Sequence, residues 1–265
     1  MKIASNGISI HVEEQGDGDL SLVFLHYWGG SSRTWKHVTA GLAPHYRTVA
    51  IDHRGWGESD APGDGYGLAD LATDAEGVIK ALNLRRYVLV GHSMGGKVAQ
   101  LMASRCPDGL VGLVLVAPSP PTPMAIPEPA RAAMTSAYDD RKAVEATIDN
   151  VLTAKPLSPE DREQVIADSL RGAFAAKQAW PHVASQEDIT VQVAAINVPT
   201  LVIAGELDGV DTPATLQAEL LSRLPHAVMH VLPGTGHLSM LESADDLLRL
   251  IESFCRSLSH SSSDD

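Results

Sequence analysis

A single serine, Ser93, lies among glycines in the stretch VLVGHSMGGKVAQ, where an apolar segment runs into a helix-like pattern. It is the centre of a G-x-S-x-G pattern formed with Gly91 and Gly95. Between a strand and a helix, this pattern holds the serine in a strained turn that exposes its hydroxyl at the edge of a sheet. The N–H groups at the start of the helix can bind a developing anion there. The pattern predicts a nucleophilic serine, and the alternative is a small residue in a structural turn.

A serine nucleophile needs a base, and the base needs an orienting acid. With a serine turn of this kind, the acid is expected next along the chain and the histidine last. Asp208 ends the apolar run PTLVIAGELD, which places it at the carboxyl end of a predicted strand. Glu206 and Asp211 are alternatives. Asp211 directly precedes the helix start Thr212-Pro213 and is better interpreted as an N-terminal cap, so we expect Asp208 to be the acid.

The candidate base follows the last predicted strand. His237 lies in the stretch LPGTGHLSMLE, after Gly234 and Gly236 and before a helical pattern. The chain has 11 histidines, so an exposed loop histidine without a role is the alternative. The position after the last strand and the small neighbours favour His237 as the general base.

Acyl transfer also requires N–H donors for the oxyanion. The backbone N–H of Met94, the residue after Ser93, is one candidate. The second is expected from the loop HYWGGSSRTW, and we assign it to Trp28 because the two following glycines let this loop approach Ser93. His26, at the start of the loop, is interpreted as a structural anchor, with a role as base the alternative.

A sheet must position these residues. Apolar runs with little alternation predict strands buried on both faces, at residues 20–26, 46–52, 85–92, 110–118, 199–208 and 226–234. An Asn-Gly turn at residues 6–7 predicts two further short strands. Helical patterns lie between the runs, and this alternation predicts an α/β fold with a mostly parallel sheet and right-handed crossovers.

The alternation stops after Pro118. Residues 119–189 begin with a proline-dense stretch and continue with helix-compatible segments, which predicts a helical cap inserted between core parts 1–118 and 190–258. The polar residues 259–265 predict a disordered tail. A substrate pocket is expected between the cap and Ser93. Its candidate wall residues, for which core packing is the alternative, are Trp28, Met94, Met124, Met134, Phe174 and Trp180.

Composition excludes several classes of function. The chain has 265 residues, of which 33 are acidic and 20 are Lys or Arg, whereas nucleic acids and anionic membranes require a basic surface. No apolar run approaches the roughly 20 residues of a membrane span, and the N-terminus lacks the pattern of a signal peptide. Cys106 and Cys255 show no metal-ligand spacing. We expect a cytoplasmic protein that needs neither a metal nor an organic cofactor.

Five stretches together resemble the α/β-hydrolase superfamily over essentially the whole chain: LHYWGGSSRTW, IDHRGWGESDAP, VGHSMGGKVA, LVIAGELDGVDTP and LPGTGHLSMLE. The resemblance implies an eight-stranded, mostly parallel sheet with a helical cap after the sixth strand, and a triad of Ser93, Asp208 and His237. The superfamily usually has glycine where this chain has Tyr27, and tyrosine cannot adopt every conformation open to glycine. Either Trp28 or Tyr27 is therefore expected to supply the second oxyanion donor, and the Tyr27 phenol is a further candidate for shaping the acyl pocket.

These features predict a serine esterase that cleaves small-to-medium hydrophobic carboxylic esters through an acyl-enzyme. The resemblance leaves lactonases, cofactor-free C–C bond hydrolases and perhydrolases of the haloperoxidase kind as alternatives with the same triad. A C–C hydrolase binds a carboxylate-bearing substrate and should need an arginine near the pocket. Arg131, Arg141 and Arg171 lie in the predicted cap, with surface solvation as the alternative. A slow-turnover ligand receptor is a further alternative, for which the sequence shows no partner surface.

Overall fold

The computed structural model describes residues 1–260 and contains one eight-stranded sheet. Its strands are β1 (Lys2–Ser5), β2 (Ile8–Gln15), β3 (Ser21–Leu25), β4 (Arg47–Ile51), β5 (Tyr87–His92), β6 (Leu110–Val116), β7 (Thr200–Gly205) and β8 (Val228–Leu232). They are arranged in the order β1-β2-β4-β3-β5-β6-β7-β8. The pairs β1–β2 and β2–β4 are antiparallel, and the other neighbours are parallel. The predicted α/β fold with a mostly parallel, eight-stranded sheet is confirmed.

Helices connect the parallel strands. The α-helices are α1 (Lys36–Leu42), α2 (Leu68–Ala81), α3 (Met94–Ser104), α4 (Glu128–Met134), α5 (Arg141–Thr147), α6 (Pro159–Arg171), α7 (Phe174–His182), α8 (Thr190–Val193), α9 (Pro213–Leu216), α10 (Ser239–Glu242) and α11 (Ala244–His260). Short 3-10 helices span Ser32–Trp35 and Ala184–Gln186, and π-helical turns span Ile148–Leu152 and Gln217–Leu221.

Helices cover both faces of the sheet. Strand β5 pairs with β6 so that Val88 lies beside Gly112, and a side chain at Gly112 would meet Leu258 of α11. Gly91 lies three residues beyond Val88 and therefore points to the opposite face, where it approaches Ala99 of α3. Because both faces are covered, every residue of β3, β5 and β7 is buried. This burial explains why the strands appear in the sequence as continuous apolar runs.

The region between β6 and β7 differs from the rest of the chain. Residues 117–199, all of them described, contain helices α4 to α8 and no strand. We call residues 119–189 the cap segment. At the other end of the chain, the prediction of a disordered tail from residue 259 is wrong for its first two residues, because α11 continues to His260. Leu258 is buried against the core, and extending an already formed helix costs little. Residues 261–265 of the predicted tail lie outside the described residues.

Candidate active site

The loops that carry the candidate catalytic residues meet at one edge of the sheet. Strands β3, β5 and β7 are all parallel, so their carboxyl ends lie at the same edge. The loop with Trp28 follows β3, Ser93 follows β5, and Asp208 follows β7. Strand β8 is parallel to β7 and ends at Leu232. His237 follows five residues later, in the loop at the same edge.

Ser93 occupies a strained turn between β5 and α3. Its backbone has φ 52° and ψ −116°, a conformation that a residue with a side chain rarely adopts. The turn brings Gly95 so close to β3 that an added Cβ would lie 2.5 Å from the carbonyl oxygen of Leu25 and 2.6 Å from that of His26. Glycine at this position therefore lets α3 start against the sheet directly after the serine. Ser93 is only 6% exposed.

The candidate acid and base are in contact. Nδ1 of His237 lies 2.8 Å from Oδ2 of Asp208, and both side chains are buried. Oδ1 of Asp208 accepts hydrogen bonds from the N–H groups of Val210 (2.7 Å) and Asp211 (3.2 Å), which fix the plane of the carboxylate. Because Nδ1–H donates to the carboxylate, Nε2 is left as the basic nitrogen. Within residues 1–260, this is the one hydrogen bond that joins two members of the Ser93–Asp208–His237 set. No hydrogen bond is formed there between Ser93 and His237, and in structures without substrate such catalytic hydrogen bonds are often long.

Two effects act in opposite directions on the pKa of His237. Burial disfavours the imidazolium and lowers the pKa, whereas the charge of Asp208 and its hydrogen bond raise it. Together with smaller contributions from the Asp211 and Glu242 carboxylates, the effects of Asp208 outweigh burial, and the pKa of His237 is raised above its usual value. His92 packs 4.8 Å from the His237 ring, and its Nε2 lies 2.9 Å from the His237 carbonyl oxygen. Burial holds the pKa of His92 well below its usual range, so His92 packs against the candidate base as a neutral ring.

The prediction that Asp211 caps a helix is wrong. The N-cap of α9 is Thr212, whose side chain accepts a hydrogen bond from the N–H of Thr215. Asp211 instead turns inward and is buried, with Oγ of Ser119 at 3.5 Å from its Oδ2. Burial raises the pKa of Asp211 to about 7, with nearby His237 lowering it and the Asp208 carboxylate raising it. Threonine and aspartate are both favoured N-cap residues, and the sequence placed them next to each other, so it did not show which one caps the helix.

This burial makes stability depend on the charge of Asp211. The folded-state pKa is raised from 3.8 to about 7, so the folded protein keeps a proton that the unfolded chain releases, and stability should fall as pH rises between these values. Asp211→Asn removes the cost of ionisation, and we expect its stability relative to the native protein to rise from pH 4 to pH 7 by on the order of 4 kcal/mol, then to level off. Denaturant unfolding of both proteins across this pH range measures the difference. A pH-independent difference would contradict a buried, protonated Asp211.

The loop after β3 forms a turn that accommodates a tyrosine. The N–H of Gly30 donates to the carbonyl oxygen of Tyr27 at 3.0 Å, and Gly29, at the third position of the turn, has φ 103°. A turn of this kind requires positive φ at its third position only. Among the described residues, neither Tyr27 nor Trp28 has a positive φ. The replacement of the usual glycine by Tyr27 therefore does not strain the loop.

His26 orients the peptide that carries the Trp28 N–H. Its Nδ1 lies 2.7 Å from the carbonyl oxygen of Tyr27, and its Nε2 accepts a hydrogen bond from the N–H of His53 at 3.0 Å. Nδ1–H is thus the donor, and the neutral ring acts as the structural anchor expected from the sequence. In a trans peptide the N–H points opposite to the carbonyl, so fixing the Tyr27 carbonyl also fixes the direction of the Trp28 N–H.

The same geometry distinguishes the two candidate donors. The carbonyl of His26 points toward Gly95 on the nucleophile's helix, so the Tyr27 N–H points away from that helix. Within residues 1–260, the N–H groups of Tyr27, Trp28 and Met94 all donate to no acceptor, so the direction of the N–H is what separates Tyr27 from Trp28. The geometry therefore favours Trp28 over Tyr27 as the second donor.

The predicted pocket residues differ in their burial. Trp180 and Met94 are buried, and Met124 and Met134 are partly buried against the core. The buried indole N–H of Trp28 has no hydrogen-bond partner in residues 1–260. The Tyr27 ring lies in the core, 5.2 Å from the His92 ring.

One pocket prediction is wrong. Phe174 is 78% exposed on the outer surface. It is the first residue of α7 and projects beyond the part of that helix, around Ala176 and Trp180, that packs against the core. The sequence showed that Phe174 is hydrophobic and lies in a helix-compatible segment. It did not show that the first turn of this helix would extend beyond the core.

Two of the three cap arginines form ion pairs at the surface. Arg141 pairs with Glu145 and Glu163, and Arg171 pairs with Glu58. Arg131 donates from Nη1 to the carbonyl oxygen of Ile126 at 2.6 Å. For Arg141 and Arg171, the structure agrees with the interpretation of surface residues.

Comparisons with known proteins identify the class. The profile of the alpha/beta hydrolase family matches residues 22–250, and the chain belongs to this family. A pimeloyl-(acyl-carrier protein) methyl ester esterase from Yersinia enterocolitica is 28% identical over 256 residues, covering 91% of this chain and 95% of that protein. A non-heme haloperoxidase from Rhodococcus erythropolis is 29% identical over 272 aligned positions, covering 94% of this chain and 98% of that protein.

A solved structure agrees with the fold. An esterase from Exiguobacterium antarcticum superposes with a TM-score of 0.89 at 22% identity, covering 96% of this chain and 98% of that one. The protein is thus an alpha/beta hydrolase with esterase-type relatives. In the part of the chain that the structure describes, no helix has the length and apolar character needed to cross a membrane.

Proposed function

We propose that this protein is a serine esterase that cleaves small-to-medium hydrophobic carboxylic esters through an acyl-enzyme. The observation that carries the proposal is the buried hydrogen bond of 2.8 Å between His237 and Asp208 at the sheet edge where Ser93 occupies its strained turn. A carboxylate-oriented histidine and a serine in such a turn are the parts that acyl transfer requires. The esterase-type relatives support the same reaction class.

In the proposed reaction, Nε2 of His237 removes the proton from Ser93 Oγ as this oxygen attacks the ester carbonyl. The N–H groups of Met94 and Trp28 donate to the resulting oxyanion. His237, held by Asp208, then protonates the leaving alcohol, and the acyl group stays on Ser93. A water molecule that gives its proton to His237 hydrolyses this acyl-enzyme and restores the serine. Neither a metal ion nor an organic cofactor enters these steps.

The surroundings of Ser93 support a small-to-medium, apolar substrate group. Ser93, His237 and Trp28 are 6%, 1% and 7% exposed, so the candidate site is buried, and Tyr138 of the cap segment packs on the Trp28 ring. The candidate wall residues Met124, Met134 and Trp180 are apolar, and they are buried or partly buried against the core. The unpartnered indole N–H of Trp28 supplies one donor for an ester oxygen.

Perhydrolysis is the second candidate function. Hydrogen peroxide would replace water in the second step and release a peracid, and the relative from Rhodococcus erythropolis named a non-heme haloperoxidase favours this option. Lactone hydrolysis would use the same steps on a cyclic ester. C–C bond hydrolysis receives less support, because the surface ion pairs of Arg141 and Arg171 remove two of its three candidate carboxylate-binding residues.

The proposed enzyme acts on a small molecule in the cytoplasm. Both cysteines lie within residues 1–260, where no disulfide is formed, as is usual for a reducing compartment. The net charge of −13 disfavours nucleic acid and anionic membranes as partners.

Turnover of p-nitrophenyl esters from acetate to dodecanoate tests the proposal. We expect the highest kcat/KM at a short or medium acyl chain and a fall toward dodecanoate, because the closed site limits acyl length. A fluorophosphonate should label the protein, and an excess of ester substrate should suppress this labelling, because both compounds compete for Ser93. If the protein labels with the fluorophosphonate but hydrolyses no ester, the reaction lies elsewhere in the family, and lactones and peracid formation are the next assays. If it neither labels nor turns over, the serine hydrolase proposal is wrong.

A further inference from the structure

The cap segment contacts the loop that carries the proposed oxyanion donor. The hydroxyl of Tyr138, between α4 and α5, donates to the carbonyl oxygen of Trp28 at 2.8 Å. The hydroxyl of Ser169, on α6, donates to the carbonyl oxygen of Gly29 at 3.0 Å. Both hydroxyl-bearing residues are buried. Two successive carbonyl groups of the loop thus depend on side chains that are more than a hundred residues distant in sequence.

Tyr138 is held firmly against this loop. Its ring centroid lies 4.4 Å from that of Trp28, and an added Cβ on Gly29 would lie 2.5 Å from Cζ of Tyr138. The carbonyl oxygen of Tyr138 accepts a hydrogen bond of 2.7 Å from Nζ of Lys177 on α7. The backbone of Tyr138 is therefore held by the cap segment, and its ring contacts the loop after β3.

A further link lies beside Ser169. Oγ of Ser31 donates to Oδ2 of Asp168 at 2.8 Å, and Arg33 forms an ion pair with the same carboxylate. Helix α6 therefore holds the end of the turn as well as its centre. The loop lies between the core, which contributes His26, and the cap segment, which contributes these side chains.

These contacts restrict both peptides that flank the Trp28 Cα. His26 holds the Tyr27 carbonyl and thereby the Trp28 N–H, and Tyr138 holds the Trp28 carbonyl. With both peptide planes held, φ and ψ of Trp28 have little freedom. Without Tyr138, the Trp28–Gly29 peptide is no longer tied to this side chain, so ψ of Trp28 can change and the residue that carries the donor N–H is held by His26 from one side only. The donor would then be present but less precisely aligned.

We propose that Tyr138 is a positioning residue that completes the oxyanion hole when the cap segment closes. Tyr138 and Ser169 belong to the cap segment, so any movement of this segment away from the loop would break both hydrogen bonds, and its return would form them again. Substrate enclosure and transition-state stabilisation are coupled in this way, as in enzymes whose closure assembles the site. The inference rests on the proposed function, because it takes Trp28 as an oxyanion donor.

Tyr138→Phe tests the inference, because it keeps the ring packing and removes only the hydroxyl. Loss of a whole oxyanion donor costs about 10²–10³ in rate, and a donor that is present but misaligned should cost less. We expect kcat to fall about tenfold with KM within about twofold, and the affinity for a boronic acid that forms a tetrahedral adduct to fall with kcat/KM. Ser169→Ala should shift the same quantities in the same direction.

Tyr66→Phe is the matched control, because the Tyr66 hydroxyl also donates to a backbone carbonyl, that of Pro62 at 2.8 Å, but away from this loop. It should leave kcat and boronic acid affinity unchanged. Native kcat and boronic acid affinity in Tyr138→Phe would overturn the inference, as would a rise in KM alone. If Tyr138→Phe does not fold, Ser169→Ala carries the same test.

The rate of fluorophosphonate labelling separates this inference from the proposed function. If the native protein labels and Tyr138→Phe labels about tenfold more slowly, the inference holds whatever the natural substrate is. Equal labelling rates would overturn the inference and leave the proposed function intact. If the native protein does not label, the proposed function fails, and the inference fails with it.

Discussion

Ser93→Ala is expected to lower kcat/KM for the best ester by about 10⁶-fold, leaving only the residual rate that binding and the oxyanion hole supply. Alanine has a Cβ like serine and experiences the same strained turn, so the backbone at φ 52° should be retained. The variant should also lose fluorophosphonate labelling and the burst of p-nitrophenol. Steady-state kinetics and labelling measure both effects.

Stability provides the control for Ser93→Ala. Within residues 1–260, the Ser93 side chain makes no hydrogen bond that the substitution would break, while its backbone bonds to Lys97, Val116 and Ser119 are kept. We therefore expect a midpoint of thermal unfolding close to that of the native protein. An inactive variant with native stability supports a nucleophile. Activity within about tenfold of the native protein would mean that the serine lies in a structural turn only.

Asp208→Asn is expected to lower kcat by about 10⁴-fold, because it reverses the tautomer of His237. The N–H groups of Val210 and Asp211 will continue to bind the oxygen of the new amide, which turns its NH₂ group toward Nδ1. Nδ1 must then accept, and the proton moves to Nε2, where it blocks removal of the serine proton. The effect follows from the two N–H donors as much as from the lost charge.

The pH profile gives a second measurement on the same variant. In the native protein, Asp208 raises the pKa of His237, so activity should be lost as pH falls through a value above that of an ordinary imidazole. Removal of the carboxylate should move the acid limb of the residual activity to lower pH. Glu206→Gln is the matched control. Within residues 1–260, the Glu206 side chain accepts one hydrogen bond, from the N–H of Gly234, and its replacement should change kcat less than about tenfold. A strong loss in Asp211→Asn with native activity in Asp208→Asn would instead identify Asp211 as the acid.

The sequence by itself determined the features that depend on local structure. Apolar runs predicted the strands because a strand covered on both faces must be apolar along its whole length. The glycines around Ser93 indicated the turn, because α3 and β3 approach too closely there for any side chain. The order of Asp208 and His237 after two strands placed both at one sheet edge, where the structure joins them by a hydrogen bond.

Only the tertiary structure decided which side chains become buried and what they contact. Asp211 and Phe174 were assigned the wrong environment, because a short stretch of sequence does not show which surface another element will cover. The contact between Tyr138 and Trp28 joins residues 110 positions apart, and no pattern near either one indicates it. The direction of the Trp28 N–H likewise depends on His26 and on the folded loop. Such directions are set by packing and hydrogen bonds between distant segments, which exist only once the core and the cap segment have come together.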